Sequence, residues 1–189
     1  MLVGLKVVLR EKRLGDSEND YAWRCDRDLA RLDAAPPLKP AYREFMAHYA
    51  EELRYPSKRR RRFAIDSLDG KHIGNCMYYD IDVDKKQAEL GILIGDREYW
   101  GKGYGSDALT TLLGHIFRDT NIDRIHLKTL DWNSRAQLCF EKCGFIPCGR
   151  VTNNGSEFIV MELLRSWAKS TARKTSEPDS QTSALTSTS

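Results

Sequence analysis

The sequence lacks most of the features that would assign a function at sight. No apolar stretch approaches the ~20 residues that a membrane span needs, and the opening run from Leu2 to Leu9 stops at Arg10. The five cysteines (Cys25, Cys76, Cys139, Cys143 and Cys148) follow no metal-ligand spacing, so no metal is expected. Their odd number, with no leader peptide in view, predicts reduced thiols in a cytoplasmic protein. The nucleoside-triphosphate loop GxxxxGK[ST] is missing, and so is the dinucleotide fingerprint GxGxxG. There is no internal repeat. A net charge of +3 is too small to imply a nucleic-acid or membrane partner, and neither is expected.

What is present is an ordinary globular composition, 41% hydrophobic and 30% charged over 189 residues, which suits one domain with a proper core. That domain is expected over residues 1–165. Half of the residues from Ser166 to Ser189 are Ser or Thr, so this segment reads as a disordered tail.

Periodicity orders the elements. Lys6–Arg10 reads as a strand, and Asp16 or Ser17 caps a helix towards Arg24. After Pro36-Pro37 a second helix spans Ala41–Arg54, with Tyr42, Phe45, Met46, Tyr49 and Leu53 on one face. Strands follow at Arg62–Ser67, Ile73–Val83 and Gln87–Ile94, then a helix over Ser106–Thr120. That helix carries Leu109, Leu112, Leu113, Ile116 and Phe117 on its apolar stripe. Arg124–Thr129 is a strand, Asn133 caps a short helix closed by Gly144, and Asn153-Asn154-Gly155 turns a last hairpin. The strand–helix–strand unit requires Gln87–Ile94 and Arg124–Thr129 to run parallel.

If Asp84 and Gln87 flank a two-residue turn, Asp82 stands opposite Glu89 on a polar face beside Gly91, and Tyr79 stands opposite Ile92 on an apolar one. Ahead of the Ser106 helix, Gly101, Gly103 and Gly105 alternate through W-G-K-G-Y-G-S. Glycine leaves backbone N–H groups uncovered, and a helix start adds unpaired donors and a positive dipole end; together they suit phosphate oxygens. The basic run Lys58–Arg62 reads first as a solvated strand start, and second as a grip on phosphate or an acidic partner.

Two motifs, Y-W-G-K-G-Y-G-S-D-A-L and N-S-R-A-Q-L-C-F-E-K-C-G-F, taken with this element order, resemble the GNAT superfamily of acetyl-CoA-dependent N-acetyltransferases. The closest likeness is to the branch containing ribosomal-protein N-terminal and spermidine acetyltransferases. The resemblance implies an α+β, three-layer fold: a mixed, mostly antiparallel seven-stranded sheet with a splayed parallel pair and helices on both faces. It implies that backbone N–H groups from Gly101 through Lys102, Gly103, Tyr104 and Gly105 to Ser106 hold the coenzyme A pyrophosphate. Ile92, Leu93 and Ile94 would pair with the pantetheine arm, and Asn133 and Ala136 would meet it from the far side. Trp100 replaces the Gln or Arg common at the head of the glycine motif. Phe140, also at the cofactor, replaces a tyrosine proposed in the family to protonate the leaving thiolate, and it has no proton to give. Water, Cys139 or Cys143 would take over that step, or the thiolate leaves unassisted.

The chemistry needs an unprotonated amine, and a lysine-like amine with pKa about 10 is almost wholly protonated at neutral pH. Glu89 is the candidate general base and Asp82 its supporting carboxylate, two like charges that raise one pKa and attract a cationic amine. The competing role for Glu89 is a structural pair with a lysine or arginine. His48, His72, His115 and His126 have no partner identifiable in the sequence. The six acids between Asp16 and Asp33, against three arginines, lean towards a basic acceptor: a protein N-terminus, a polyamine or another small amine. The chain is expected to act as a monomer or homodimer. Two other readings stand beside this one: a catalytically silent acyl-CoA-binding regulatory module, and a phosphate or nucleic-acid binder using Lys58–Arg62.

Overall fold

A computed structural model describes residues 1–168 of the chain. Eight strands form a single sheet in the order β1-β2-β3-β4-β5-β6-β8-β7. They are β1 (Leu2–Val3), β2 (Val7–Glu11), β3 (Arg60–Ser67), β4 (His72–Asp82), β5 (Gln87–Ile94), β6 (Arg124–Leu130), β7 (Ile146–Asn153) and β8 (Ser156–Leu164). The eighth strand beyond the seven expected is the two-residue β1, which folds back on β2 with Leu2 opposite Leu9. Every pairing is antiparallel except β5 with β6. That parallel pair is short: Gln87, Ala88 and Glu89 face Arg124, Ile125 and His126, and beyond them the strands part. The splay opens a gap between Leu90–Ile94 and Leu127–Leu130.

The β4–β5 hairpin departs from the expected register. Asp82 pairs with Gln87, so four residues make the turn, and the Asp82 carboxylate accepts the Lys85 N–H at 2.9 Å. The ladder then shifts between Tyr79 and Asp82, at Asp80 with its φ of +50°. This bulge places Tyr79 opposite Glu89, and Cys76 opposite Ile92. Within β5 the expected parity holds: Ala88 and Leu90 are buried under the core and Glu89 faces the other way. Cys76 to Tyr79 is apolar on both faces, so its pattern imposes no register, and an aspartate tolerates the left-handed conformation of the bulge.

Five helices cover the sheet: α1 (Ser17–Cys25), α2 (Arg27–Leu32), α3 (Tyr42–Arg54), α4 (Tyr104–Asp119) and α5 (Ser134–Lys142). The short α2 was not anticipated; Asp26 caps it by accepting from the N–H groups of Asp28 and Leu29. The stripe of α4 is buried as its spacing predicts, with Leu109, Leu112 and Ile116 at 0% exposure. Burying three such side chains contributes roughly 1.5–3 kcal/mol each before entropy is counted. Asp107 in the first turn of α4 accepts the N–H groups of Leu5, Lys6 and Val7 at 2.7–3.1 Å, tying the β1–β2 loop to the helix start. On the opposite face α1 sits over the end of β5: a Cβ on Gly95 would lie 2.1 Å from the Trp23 ring, so this close approach needs glycine. Residues 165 to 168 add a helical turn, and Trp167, the second residue of the expected tail, packs against the core. The remainder of that tail lies outside the described residues.

Candidate active site

Two cavities of about 520 Å³ each meet where β5 and β6 part. Ile92, Leu93, Asn133, Ala136 and Phe140 border both. One cavity opens towards the glycine loop, the other towards α1 and α3.

On the loop side, a turn of 3-10 helix at Arg97–Tyr99 leads into the glycines. Gly101 and Gly103 have φ of +70° and +85°, values that a side chain makes costly, and Gly103 caps α4. The α4 hydrogen bonds begin with Asp107 N–H to the Gly103 carbonyl at 3.0 Å. The N–H groups of Tyr104, Gly105 and Ser106 are therefore left for an anion. Every position expected at the cofactor borders this cavity except Lys102 and Tyr104. The Lys102 carbonyl instead accepts from the Lys6 ammonium at 2.9 Å, and Tyr104 packs edge-on against Tyr99 at 4.8 Å. Trp100 donates its indole N–H to the Ile94 carbonyl at 2.7 Å, fixing the end of β5. Arg135, which the sequence reading passed over, lies 3.6 Å from the centre of the Trp100 ring and lines the same cavity. Asn133 caps α5 through the Ala136 N–H at 3.2 Å, as expected of it.

On the α1–α3 side, Glu89 is 8% exposed and does not meet Asp82, whose side chain stays on the hairpin turn. The expected carboxylate pair is replaced by a different constellation. The Tyr79 hydroxyl donates to Glu89 Oε1 at 2.7 Å, the Lys128 ammonium donates to Oε2 at 3.0 Å, and His126 Nε2 lies 3.6 Å from Oε2. Burial alone would raise the Glu89 pKa, but the imidazole of His126, the Tyr79 hydroxyl and the Lys128 ammonium outweigh it and hold the group at about 2. Tyr79 and Lys128 line the cavity, with Glu89 behind them. The parallel register could have revealed His126 and Lys128, since Glu89 faces His126 directly.

The acids of the first helices do not form an open acidic surface. Asp16 accepts from Arg10 and from the Arg13 N–H, Asp20 pairs with Lys12 at 2.8 Å, and Asp26 and Asp28 share Arg97. Lys12 is 3% exposed at its side chain and also donates to Asn75. Burial pulls its pKa down.

Phe140 is buried and stacks edge-on with Phe145 at 6.0 Å. Cys139 lies 3.3 Å from the Ser106 hydroxyl. A hydrogen bond from Cys143 pulls the Cys139 thiol below the usual range, while the same contact and burial push Cys143 up. No group of side chains suited to a metal occurs among the described residues.

The glycine cradle beside splayed parallel strands accords with a family comparison: a model described as an acetyltransferase (GNAT) domain matches residues 6–146. The chain belongs to the GNAT acetyltransferases. Acetyl-CoA is the cosubstrate of these enzymes, and the open N–H groups at the start of α4 fit its pyrophosphate. Among relatives, the uncharacterized N-acetyltransferase p20 of Bacillus licheniformis is 25% identical over 147 residues, covering 75% of this chain and 82% of that protein. The spermidine N(1)-acetyltransferase of Vibrio cholerae is 29% identical over 100 residues, covering 53% of this chain and 56% of its own. Among solved structures, the Vibrio cholerae spermidine N-acetyltransferase in complex with CoA and spermine superimposes with a TM-score of 0.77 at 22% identity. That superposition covers 86% of this chain and 98% of the other. Aminoglycoside acetyltransferase AAC(6')-Ib in complex with coenzyme A gives 0.73 at 21%, covering 88% and 99%. At these identities the superpositions speak for the GNAT fold alone. Among the described residues no helix is long and apolar enough to cross a membrane.

Proposed function

We propose that the chain transfers the acetyl group of acetyl-CoA to a primary amine by direct attack of that amine on the thioester. The observation that carries this reading is the meeting of the two cavities at Leu93 and Phe140. A cofactor whose pyrophosphate rests on Gly101–Ser106 and whose arm follows Ile92–Ile94 brings its thioester to that junction, and an amine reaches it from the α1–α3 side. Such positioning is itself a large source of rate. A thiol with pKa about 8.5 is a tolerable leaving group, so the reaction proceeds without a tyrosine at position 140. The five free thiols support a reducing, cytoplasmic setting.

In this reading Glu89 is a positioning residue. A carboxylate held at about 2 has little affinity for the proton of an ammonium group. What it does is hold Tyr79 and Lys128 at the cavity wall. Lys128, on the cavity side of the pair, disfavours the protonated form of an amine placed beside Leu93.

The experiment is free-thiol release from acetyl-CoA across a panel of amines, amino acids and N-terminal peptides, with Glu89→Gln alongside. Turnover on a primary amine is expected. For Glu89→Gln the expected result is a loss of about tenfold in kcat with the shape of the pH profile retained. Loss of one limb of the profile would return the base to Glu89. Tight acetyl-CoA binding with no acceptor turned over would favour the silent binding module that Phe140 makes conceivable.

A further inference from the structure

The charges along the acceptor cavity carry a statement about what the acceptor is, one that rests on the transferase reading above. Two of the carboxylates there have a close cation: Asp20 is matched by Lys12 at 2.8 Å, and Glu89, just behind the wall, by Lys128 at 3.0 Å. Asp33 has no ion pair among the described residues, and burial raises its pKa against the weaker pull of Arg24. Glu52 is over-matched. Arg60 reaches its Oε1 at 2.8 Å and Arg62 its Oε2, so two guanidinium groups share one carboxylate. All three side chains line the cavity, beside His48 and Tyr49. Strand alternation explains how they come together: Arg60 and Arg62 project from one face of β3 towards Glu52 on α3. Arg61 bonds instead to the carbonyls of Ser57 and Arg60. The basic run that looked like a solvated strand start thus divides between two faces.

Five cations border this cavity against three carboxylates, and the excess is concentrated at Arg60 and Arg62, which share Glu52 alone. A polyamine brings a second ammonium group into this excess of positive charge. We propose that the acceptor is an amine that also carries a carboxylate, such as an ω-amino acid or a peptide N-terminus followed by an acidic side chain. Its amine lies beside Leu93 and its carboxylate on Arg60 and Arg62. A guanidinium already oriented by Glu52 loses little freedom on taking up a second carboxylate and binds it by charge-assisted hydrogen bonds.

The test compares kcat/KM for spermidine, ω-amino acids of increasing length, and dipeptides with Asp or Lys in second place. It uses the wild type, Glu52→Gln and the double variant Arg60→Gln/Arg62→Gln. The wild type is expected to favour the carboxylate-bearing acceptors, with the preference shrinking as salt is raised. Glu52→Gln frees both guanidinium groups and is expected to sharpen that preference. The double variant leaves Glu52 unmatched and should raise KM for the acidic acceptors about tenfold with kcat kept, the scale of one hydrogen bond to a charged group. Opposite shifts from neighbouring side chains would not arise from a common loss of structure. Spermidine as the best wild-type acceptor, or a preference that the two variants leave in place, overturns the inference and leaves the transferase reading standing. Bound acetyl-CoA with no turnover of any acceptor removes both.

Discussion

The two cavities that meet at Leu93 and Phe140 enclose the same space, about 520 Å³ each, yet they are made from different materials. The cofactor side is chiefly backbone: two glycines in the left-handed region, the first turn of α4, and the edge of β5. Most of its contributors come from two local stretches, one from Ile92 to Ser106 and one from Asn133 to Lys142, with Leu29 and Leu32 of α2 and the adjoining Asp33 closing it. The acceptor side is a set of charge pairs drawn from distant parts of the chain, with Lys12 just after β2, Glu52 on α3 and Lys128 on β6. Backbone donors hold a phosphate whatever the neighbouring side chains are. Charge pairs exchange one residue at a time and retune what binds. Under the proposed function, the difference places the shared step in one cavity and the choice of substrate in the other.

The strongest way to break the comparison is at Glu89, the buried charge at which the pairing of β5 with β6 ends. Its folded pKa of about 2 lies below the unfolded value of about 4.3. The stability it contributes is therefore fully present above the unfolded pKa and is lost as pH falls through 2. The size is about 3 kcal/mol, each pKa unit being worth about 1.4 kcal/mol. Glu89→Gln should unfold more readily at pH 7, and its deficit relative to the wild type should close between about pH 4 and pH 2. Thermal melts of both proteins across that range provide the check. A deficit that stays constant down to pH 2 would mean that packing, not charge, holds the strand there.

The next effect belongs to the cofactor side. Gly103→Val places a β-branched residue at φ +85°, at a cost of about 1–3 kcal/mol, in the loop that precedes α4. Acetyl-CoA affinity should fall by about 10- to 100-fold, read by calorimetry, because a distorted cradle no longer presents its N–H groups together. The same assay on Arg60→Gln/Arg62→Gln should show acetyl-CoA affinity unchanged. If the arginine variant also weakened the cofactor, the division between the two cavities would not stand.

This contrast also explains which parts were legible in the sequence. The cofactor side was readable because its determinants are local: alternating glycines, an N-cap asparagine and an amphipathic stripe lie within a few residues of one another. The fold followed from the same kind of signal, since the buried stripe of α4 and the Asn153-Asn154-Gly155 turn are both patterns of near neighbours. The acceptor side depends on register and on pairing across the chain. One bulge at Asp80 replaced Asp82 by Tyr79 as the neighbour of Glu89, and with His126 and Lys128 reaching it from β6 its pKa is lowered where a carboxylate pair would have raised it. Counting six acids from Asp16 to Asp33 missed that Arg10, Lys12 and Arg97 fold back to match four of them. Trp100, which looked like the loss of a side-chain contact, turned out to brace the Ile94 carbonyl and stack on Arg135.

That last arrangement supplies the smallest of these effects. Arg135 lies over the Trp100 ring and lines the cofactor cavity, and burial lowers its pKa without a carboxylate to hold it. A guanidinium on an indole face contributes about 0.5–1 kcal/mol at an accessible site. In the proposed reading its charge also lies where the phosphates of the cofactor approach the loop. Arg135→Ala should therefore weaken acetyl-CoA binding by about two- to fivefold, and the loss should diminish as salt rises, because screening reduces what the charge gave the wild type. Arg135→Lys keeps the charge and loses the planar stack, so it separates the two parts. If lysine restores most of the affinity, the charge is what the cofactor uses. If lysine behaves like alanine, the stack on Trp100 is the larger part, and this edge of the cavity depends on side-chain packing as well as on backbone.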